Sequence, residues 1–247
     1  MYKSKIIDLL ALTIGQLYST KNYNRAITFH QIDTPDKYSL KMKMFKSIIQ
    51  FLVDSGYNFK VISDIKNNTN FTEKNIYLTF DDGHISSLVA LDYLISKNIK
   101  STIFLVAKDY YKETKEKNSM TIPKNEIINL SNSKNIEIGS HSYSHTLLVN
   151  ANNIKREIFD SKKILEDLVA KKICSFSIPY GKKRSFNDRI LHLIKDAGFE
   201  YCCTQIPSPI IPNNKPFLVP RIGLWNTDKV DTVRMKINGN YDYLKNF

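Results

Sequence analysis

Two adjacent carboxylates, Asp81 and Asp82, end a short apolar stretch, Ile76–Phe80, and are followed by Gly83. Carboxylates at the end of a strand can ligate a metal ion or transfer a proton. A helix N-cap followed by a turn would explain the same residues, so this pair decides nothing by itself. Because side chains alternate along a strand, a turn at its end is needed to bring both carboxylates into one pocket.

Two histidines, His141 and His145, directly follow a second such stretch, Ile136–Ser140. Their spacing of four residues would place both imidazoles on one side of a helical turn, which suits joint ligation of a metal ion. An isolated pair with this spacing also arises by chance. A further histidine, His30, ends the stretch Ala26–Phe29, where a lone imidazole is more often a packed core or surface residue than a catalyst.

A rigid turn, Pro179-Tyr180-Gly181, follows a fourth stretch, Ile173–Ser177. Such a turn can present a backbone N–H to a developing oxyanion, although a purely structural turn is the simpler interpretation of this segment alone. Together the four segments offer two carboxylates, three imidazoles and an oxyanion donor, each at the carboxyl end of a predicted strand. These are the groups that metal-assisted hydrolysis requires.

The elements that must position these groups alternate between short β-rich stretches and helical patterns. This alternation predicts an α/β domain built from βαβ units with a parallel sheet. The predicted strands are Ala26–Phe29, Ile76–Phe80, Ser101–Leu105, Ile136–Ser140, Ile173–Ser177, Tyr201–Thr204 and Leu218–Ile222. The predicted helices are Met42–Ser55, Ser87–Lys97, Lys124–Leu130, Asn152–Val169 and Phe186–Ala197. A single closed or nearly closed β/α barrel is favoured, and a doubly wound open sheet is the alternative.

Composition excludes several other classes of protein. The 247 residues are 42% hydrophobic and 24% charged, which excludes a disordered chain, a collagen-like fibre and a polytopic membrane protein. The net charge is +12, but the basic residues are spread along the chain without a dense cluster, so nucleic acid is not expected as a partner. Three cysteines without a C-x-x-C pair argue against a disulfide framework or a zinc knuckle.

The pattern of apolar residues in segment 1–22 predicts an amphipathic helix, which would pack on a domain formed by residues 23–247. The apolar positions 6, 7, 10, 14 and 17 fit one helical face, and the stretch is too short to span a bilayer. No small-residue cleavage site follows it. We therefore expect a cytoplasmic protein, with export or membrane association as the alternative. Peripheral contact of this helix with a membrane and the oligomeric state are left open.

The combination of motifs resembles the NodB-homology polysaccharide deacetylases, carbohydrate esterase family 4. Thr79–Gly83 is similar to the family's T-F-D-D-G motif, His141–His145 to its H-S/T-x-x-H motif, and Phe176–Gly181 to its R-x-P-Y-G region. The similarity extends over most of the chain. The early segment Ile27–Ile32 is similar to the poly-N-acetylglucosamine deacetylase branch. The resemblance implies a distorted (β/α)7 barrel in a single domain.

It also implies a metal-dependent hydrolase that removes an N-acetyl group from an amino sugar in a glycan or glycan precursor. Asp82, His141 and His145 would hold one divalent metal, with zinc the first expectation and cobalt, nickel, manganese or iron as alternatives. Asp81 would be the general base that takes a proton from the attacking water. His30 would be the general acid, because the chain lacks a histidine at the late position where the family has an L-x-H motif.

The remaining roles concern the substrate and the base. The backbone N–H of Tyr180, which follows Pro179, would stabilise the oxyanion. The family's third motif carries an arginine that tethers the base, but this chain has Ser177 at that position. Arg221, at the end of the last predicted strand, is the candidate to approach the base instead and is grouped with the substrate-binding residues.

Trp225, the only tryptophan, would either stack on a sugar ring or pack in the core, and His84 is either an additional ligand or a turn residue. Because no export signal is recognised, a nucleotide- or lipid-linked precursor is favoured over a finished polymer as substrate. Two alternatives stay open: a non-catalytic glycan-binding protein on the same barrel, and a hydrolase of another non-peptide C–N amide bond.

Overall fold

The structure, a computed structural model, describes residue 11 and residues 24–67, 73–111, 120–211 and 216–246. The predicted helix at residues 1–22 lies outside the described residues except for Ala11, which is helical and buried. The segment 112–118, which is rich in charged residues, also lies outside the described residues.

One sheet of parallel strands forms the centre of the fold, and the spatial order of its main path is β10-β9-β8-β7-β6-β5-β1-β11. A further strand, β4, pairs with the first half of β5, and β2 pairs separately with β3. The strands are β1 (Arg25–Phe29), β2 (Gln31–Ile32), β3 (Ser39–Leu40), β4 (Asn58–Lys60), β5 (Asn75–Phe80), β6 (Ser101–Leu105), β7 (Ile136–Ser140), β8 (Ser175–Ser177), β9 (Tyr201–Cys203), β10 (Leu218–Val219) and β11 (Ile222–Gly223).

Helices connect the strands and cover the outside of the sheet. In the described part of the chain they are α1 (Met42–Asp54), α2 (Leu88–Ser96), α3 (Lys124–Asn132), α4 (Ser161–Val169), α5 (Asp188–Asp196) and α6 (Val230–Ile237). The last of these is absent from the sequence-based prediction. None of the described helices combines the length and the apolar character needed to cross a bilayer.

Alternation along the strands separates an outer apolar layer from the interior of the curled sheet. On β5, Leu78 and Phe80 belong to the large apolar cluster that packs against the helices. Tyr77, which directly precedes Leu78 and lies on the opposite face of the strand, belongs instead to a small interior cluster with Phe104 and Cys203. Both faces are therefore covered, which explains why the strands appear in the sequence as nearly continuous apolar stretches.

The predicted strand Leu218–Ile222 consists of two short strands that lie at opposite edges of the sheet. β10 pairs with β9, whereas β11 pairs with β1. Pro220 and Arg221 lie between them, so the chain itself joins the two edges of the curled sheet. The predicted single-domain β/α barrel is confirmed. It is distorted in that its two edge strands, β10 and β11, do not pair with each other and are linked only by the chain through Pro220 and Arg221.

Candidate active site

Three predicted metal ligands lie together at the carboxyl ends of β5 and β7. The ligand atoms of Asp82, His141 and His145 all lie within 4.8 Å of one another. Each histidine Nε2 is 3.4 Å from Oδ1 of Asp82, and this buried oxygen has no hydrogen-bond partner among the described residues. A buried carboxylate oxygen without a partner is costly, and a cation held between the three side chains would remove that cost. Two imidazoles and one carboxylate fit zinc or another divalent first-row metal.

The backbone at these ligands adopts left-handed conformations that non-glycine residues rarely take. φ is +74° at Asp82, +64° at Ser142 and +60° at His145. The turn at Asp82 brings it beside Asp81 in one pocket, as the sequence analysis required. The histidines do not lie on a helical turn, because residues 141–147 form an irregular loop. Backbone strain of this kind persists only where surrounding contacts enforce it.

Hydrogen bonding and nearby charges prepare the two imidazoles differently. Nδ1 of His141 lies 2.8 Å from the carbonyl oxygen of Ser177, which leaves Nε2 facing Asp82. Burial lowers the pKa of His141, but the Asp81 and Asp82 carboxylates outweigh burial and raise it overall. Burial and the neighbouring His141 lower the pKa of His145 to about 4, so this ring is neutral and available as a ligand at neutral pH.

A buried glutamate that the sequence analysis missed supports the histidine loop. The Glu157 carboxylate accepts hydrogen bonds from the backbone N–H of Ser144 at 2.9 Å and from its hydroxyl at 2.7 Å. Glu157 lies in a π-helical turn, Arg156–Asp160, inside the segment predicted as one regular helix. Turns of this type occur frequently at functional sites. A glutamate within an amphipathic pattern carries no local signal that could have identified it.

The predicted base, Asp81, is buried and held by a buried arginine. Arg221 donates from Nη1 to Oδ1 and from Nη2 to Oδ2 of Asp81, both at 2.8 Å. Its Nε donates to the carbonyl oxygen of Thr204 at 3.1 Å. Burial raises the pKa of Asp81, but Arg221 and His141 outweigh burial, and the pKa lies well below its usual range. The carboxylate is therefore ionised at any pH at which the protein would work.

Ser177 occupies the position of the family's tethering arginine and takes part in the same cluster. Its hydroxyl accepts from Nη2 of Arg221 at 2.7 Å and lies 3.2 Å from Oδ2 of Asp81, to which it donates. The guanidinium reaches the base from the bridge between β10 and β11. Arg221 is fully buried and contacts Asp81, as the sequence analysis predicted, whereas its grouping with the substrate-binding residues stays a prediction.

The proposed acid, His30, lies at the end of β1 among aromatic rings. Its ring centroid is 5.4 Å from that of Tyr38 and 6.3 Å from that of Trp225, with which it stacks. Its buried Nδ1 has no hydrogen-bond partner among the described residues. Burial lowers the pKa of His30, and the Asp81 and Asp82 carboxylates offset only part of this effect.

The Pro179-Tyr180-Gly181 turn adjoins the metal ligands. The Tyr180 ring is exposed and meets the His145 ring edge-on, with the centroids 5.1 Å apart. φ is +64° at Tyr180 and +58° at Gly181. A Cβ atom on Gly181 would lie 2.5 Å from the backbone nitrogen of Gln205, so only glycine fits there.

His84 lies outside the group of metal ligands. Its Nδ1 accepts a hydrogen bond from the backbone N–H of Ser86 at 3.1 Å and caps a short 3₁₀ turn, Ile85–Ser87. Of the two predicted roles for His84, the geometry favours the turn residue.

The fold and this site define a β/α-barrel protein with a candidate metal-binding site at the carboxyl ends of its strands. The sequence profile of the family described as polysaccharide deacetylase matches residues 68–202, more than half of the chain. The chain belongs to the polysaccharide deacetylase family, and it is an N-deacetylase enzyme by class. This confirms the resemblance stated from its motifs.

Solved structures show the same fold. A polysaccharide deacetylase from Bacillus cereus is 20% identical, with 86% of this chain and 68% of that chain covered and a TM-score of 0.74. The deacetylase PplD from Streptococcus pyogenes, in complex with acetate, is 18% identical, with 87% and 97% covered and a TM-score of 0.74. A de-N-acetylase from Aggregatibacter actinomycetemcomitans is 19% identical, with 86% and 99% covered and a TM-score of 0.73. No curated protein sequence matches the chain.

Proposed function

We propose that this deacetylase hydrolyses the N-acetyl group of an amino sugar within a glycan or a glycan precursor, with one divalent metal at Asp82, His141 and His145. The observation that carries the proposal is the unpartnered Oδ1 of Asp82, which faces both imidazoles beside the ion pair of Asp81 and Arg221. Zinc is the first metal to test, since two imidazoles and a carboxylate match its preferred donors. When bound, such a metal supplies Lewis-acid polarisation and makes a water molecule more acidic.

Asp81 is the group suited to take a proton from the attacking water. Arg221 holds both of its oxygens, so the carboxylate is ionised and its orientation is fixed before substrate binds. A correctly placed base contributes roughly 10²–10⁴-fold to rate. Gln205 also donates to Oδ2 of Asp81 at 3.4 Å, which further restricts rotation of the carboxylate.

His30 is the group suited to protonate the amine nitrogen as the C–N bond breaks. Because burial lowers its pKa, its protonated form is a stronger acid than an exposed imidazolium and is less populated at neutral pH. The backbone N–H of Tyr180 is proposed to donate to the oxyanion, and a donor of this kind is worth about 3–4 kcal/mol of barrier. Pro179 restricts the backbone before that N–H, and Gly181 permits the positive φ and the close approach to Gln205 that the turn needs.

The substrate and the location of the protein are further parts of the proposal. One of the similar structures is described as a deacetylase in complex with acetate, and another is described as a de-N-acetylase. Acetate is the product that the proposed reaction releases. We propose an N-acetylglucosamine-containing substrate, with a cytoplasmic nucleotide- or lipid-linked precursor tested first. An exported or membrane-associated protein acting on an exopolysaccharide is the alternative.

Metal content and acetate release together test this function. Purified wild type, a His141→Ala/His145→Ala variant and a His192→Ala control are equilibrated with zinc or cobalt; His192 is exposed on α5, away from the site. We expect about one metal per chain in wild type and control and none in the double variant. Acetate release should follow the metal, and it is measured first with nucleotide-linked N-acetylglucosamine and then with N-acetylglucosamine oligosaccharides. A wild type that binds no metal would overturn the mechanism, and metal binding without acetate release would overturn the substrate class.

A further inference from the structure

Two aromatic side chains stand beside His30 at the rim of the barrel, and we name them the aromatic wall: Tyr38 and Trp225. Their ring centroids are 5.2 Å apart, and each ring also lies near the His30 ring. Tyr38 is 36% exposed and Trp225 is 39% exposed, so part of each ring faces solvent next to the proposed acid. The two predicted roles of Trp225, sugar stacking and packing, are therefore compatible in this structure.

A buried ion pair lies directly behind Trp225. Oδ2 of Asp228 accepts from the backbone N–H of Trp225 at 2.8 Å and from Nζ of Lys236 at 2.6 Å. Nζ of Lys236 also donates to the carbonyl oxygen of Gly223 at 2.9 Å. The side chains of Asp228 and Lys236 are only 6% and 5% exposed. The pair thus hydrogen-bonds to the backbone on both sides of Leu224.

The pair is poorly explained by stability alone. Removing two opposite charges from water costs about as much as their attraction returns, and apolar residues of similar volume often serve equally well. Here the charges fix a short segment that has no other regular structure: residues 224–229 lie between β11 and α6. The indole of Trp225 packs on the backbone of Gly223, where an added Cβ would lie 3.1 Å from the ring. Displacement of this segment would therefore move the indole.

We propose that Asp228 and Lys236 are positioning residues that hold the aromatic wall against His30 and thereby set the affinity for a sugar ring of the substrate. The ring faces of tryptophan and tyrosine are apolar and carry partial negative charge. They are complementary to the C–H faces of a pyranose ring. The effect on sugar affinity rests on the proposed function, whereas the position of Trp225 can be measured without any activity.

The first experiment uses Trp225 as the only tryptophan of the chain, so that its fluorescence reports this segment alone. Lys236→Met and Asp228→Asn are compared with Lys229→Met and Asp231→Asn, which change exposed residues at the start of the same helix. We expect red-shifted emission and faster acrylamide quenching in the first two variants only. Unchanged emission and quenching in both would overturn the proposal.

The second experiment separates positioning from folding. Removing one partner leaves a buried unpaired charge, whereas an Asp228→Asn/Lys236→Met variant removes both charges and should regain much of the lost stability. With an N-acetylglucosamine pentasaccharide we expect KM for acetate release to rise between about threefold and tenfold in the double variant, with kcat nearly unchanged. A double variant that recovers both stability and the wild-type KM would overturn the positioning role.

The outcomes also separate this proposal from the proposed function. If wild type releases no acetate and the pentasaccharide does not change Trp225 fluorescence, the proposed function and the role of the aromatic wall in sugar binding both fail. The emission of the variants then still decides whether the ion pair positions Trp225. If wild type is active but Trp225→Ala leaves KM unchanged, only the aromatic wall fails as a sugar contact.

Discussion

The two ends of the barrel shift the pKa of an interior carboxylate in opposite directions. At the carboxyl end, Asp81 is fully buried and receives two hydrogen bonds from Arg221. At the amino end, Glu137 near the start of β7 accepts from the backbone N–H of Ser63 and the hydroxyl of Ser175, both at 2.9 Å, and these donors are neutral. Burial raises the pKa of Glu137 more than these hydrogen bonds lower it, and the pKa lies above its usual value.

This difference shows that a cationic partner, and not the fold, decides in which direction the pKa of an interior carboxylate shifts. The same curled sheet surrounds both groups, yet the pKa of Asp81 is lowered next to the metal ligands and the pKa of Glu137 is raised. At the carboxyl end, the backbone of Asp82, His145 and Tyr180 also adopts positive φ, and these residues lie in the proposed active site.

The largest expected effect is the loss of activity in Asp81→Asn. The amide cannot take a proton from water, so kcat/KM for acetate release should fall by about 10²–10⁴-fold. Metal content should be retained, because the side chain of Asp81 is not among the three ligands. Acetate release at wild-type rates would show that another group is the base.

Arg221→Met tests the buried cation itself. It leaves Asp81 as an unpaired buried charge and should lower the free energy of unfolding by about 3–5 kcal/mol at neutral pH. Adding Asp81→Asn should restore part of that loss, which denaturant unfolding can measure. Equal stability of Arg221→Met and wild type would contradict the ion pair described here.

The same pair predicts the direction of acid sensitivity. Because the pKa of Asp81 is lower in the folded protein than in the unfolded chain, its stabilising contribution is complete above about pH 4 and is lost as the pH falls towards the folded-state pKa. Unfolding measured from pH 6 to pH 2 should show a shallower decline in Asp81→Asn/Arg221→Met than in wild type.

Glu157→Gln is expected to have an intermediate effect. The amide retains the size of the side chain but accepts fewer hydrogen bonds from Ser144, which loosens the His141–His145 loop. Loss of such supporting contacts typically lowers metal affinity by about 10–100-fold. Competition with a chelator measures this change, and Glu166→Gln on α4 serves as a control outside the loop. Identical metal affinity in the two variants would exclude a supporting role for Glu157.

Glu137→Gln should have the smallest effect and should not change activity. With its pKa raised on folding, Glu137 binds a proton in the folded state that the unfolded chain has released, so wild-type stability declines as pH rises above about 4 towards the folded-state pKa. The amide removes this decline. Comparing the two proteins at pH 5 and pH 8, we expect a relative gain in Tm at pH 8 of no more than about 4 °C. A relative loss in Tm of the variant at pH 8 would mean that folding lowers the pKa of Glu137 instead of raising it.

Most of the barrel could be predicted from the sequence because each strand is a local apolar stretch and each helix has its own period. The prediction missed α6 and merged β10 with β11, since a five-residue stretch cannot show that its halves pair with different edges. It also treated the segment with the π-helical turn at Arg156–Asp160 as a regular helix, because a single extra residue in a turn hardly disturbs the apolar pattern.

The sequence by itself determined the residue types at the strand ends: the Asp81-Asp82 pair, the two histidines four residues apart and the Pro179-Tyr180-Gly181 turn are all contiguous motifs. Only the tertiary structure decided which distant groups complete them. Arg221 is 140 residues from Asp81, and the Asp228–Lys236 pair meets Trp225 only because α6 folds back on its own loop. The physical reason is that a buried charge needs a partner in space, and nothing in the local sequence states where that partner will come from.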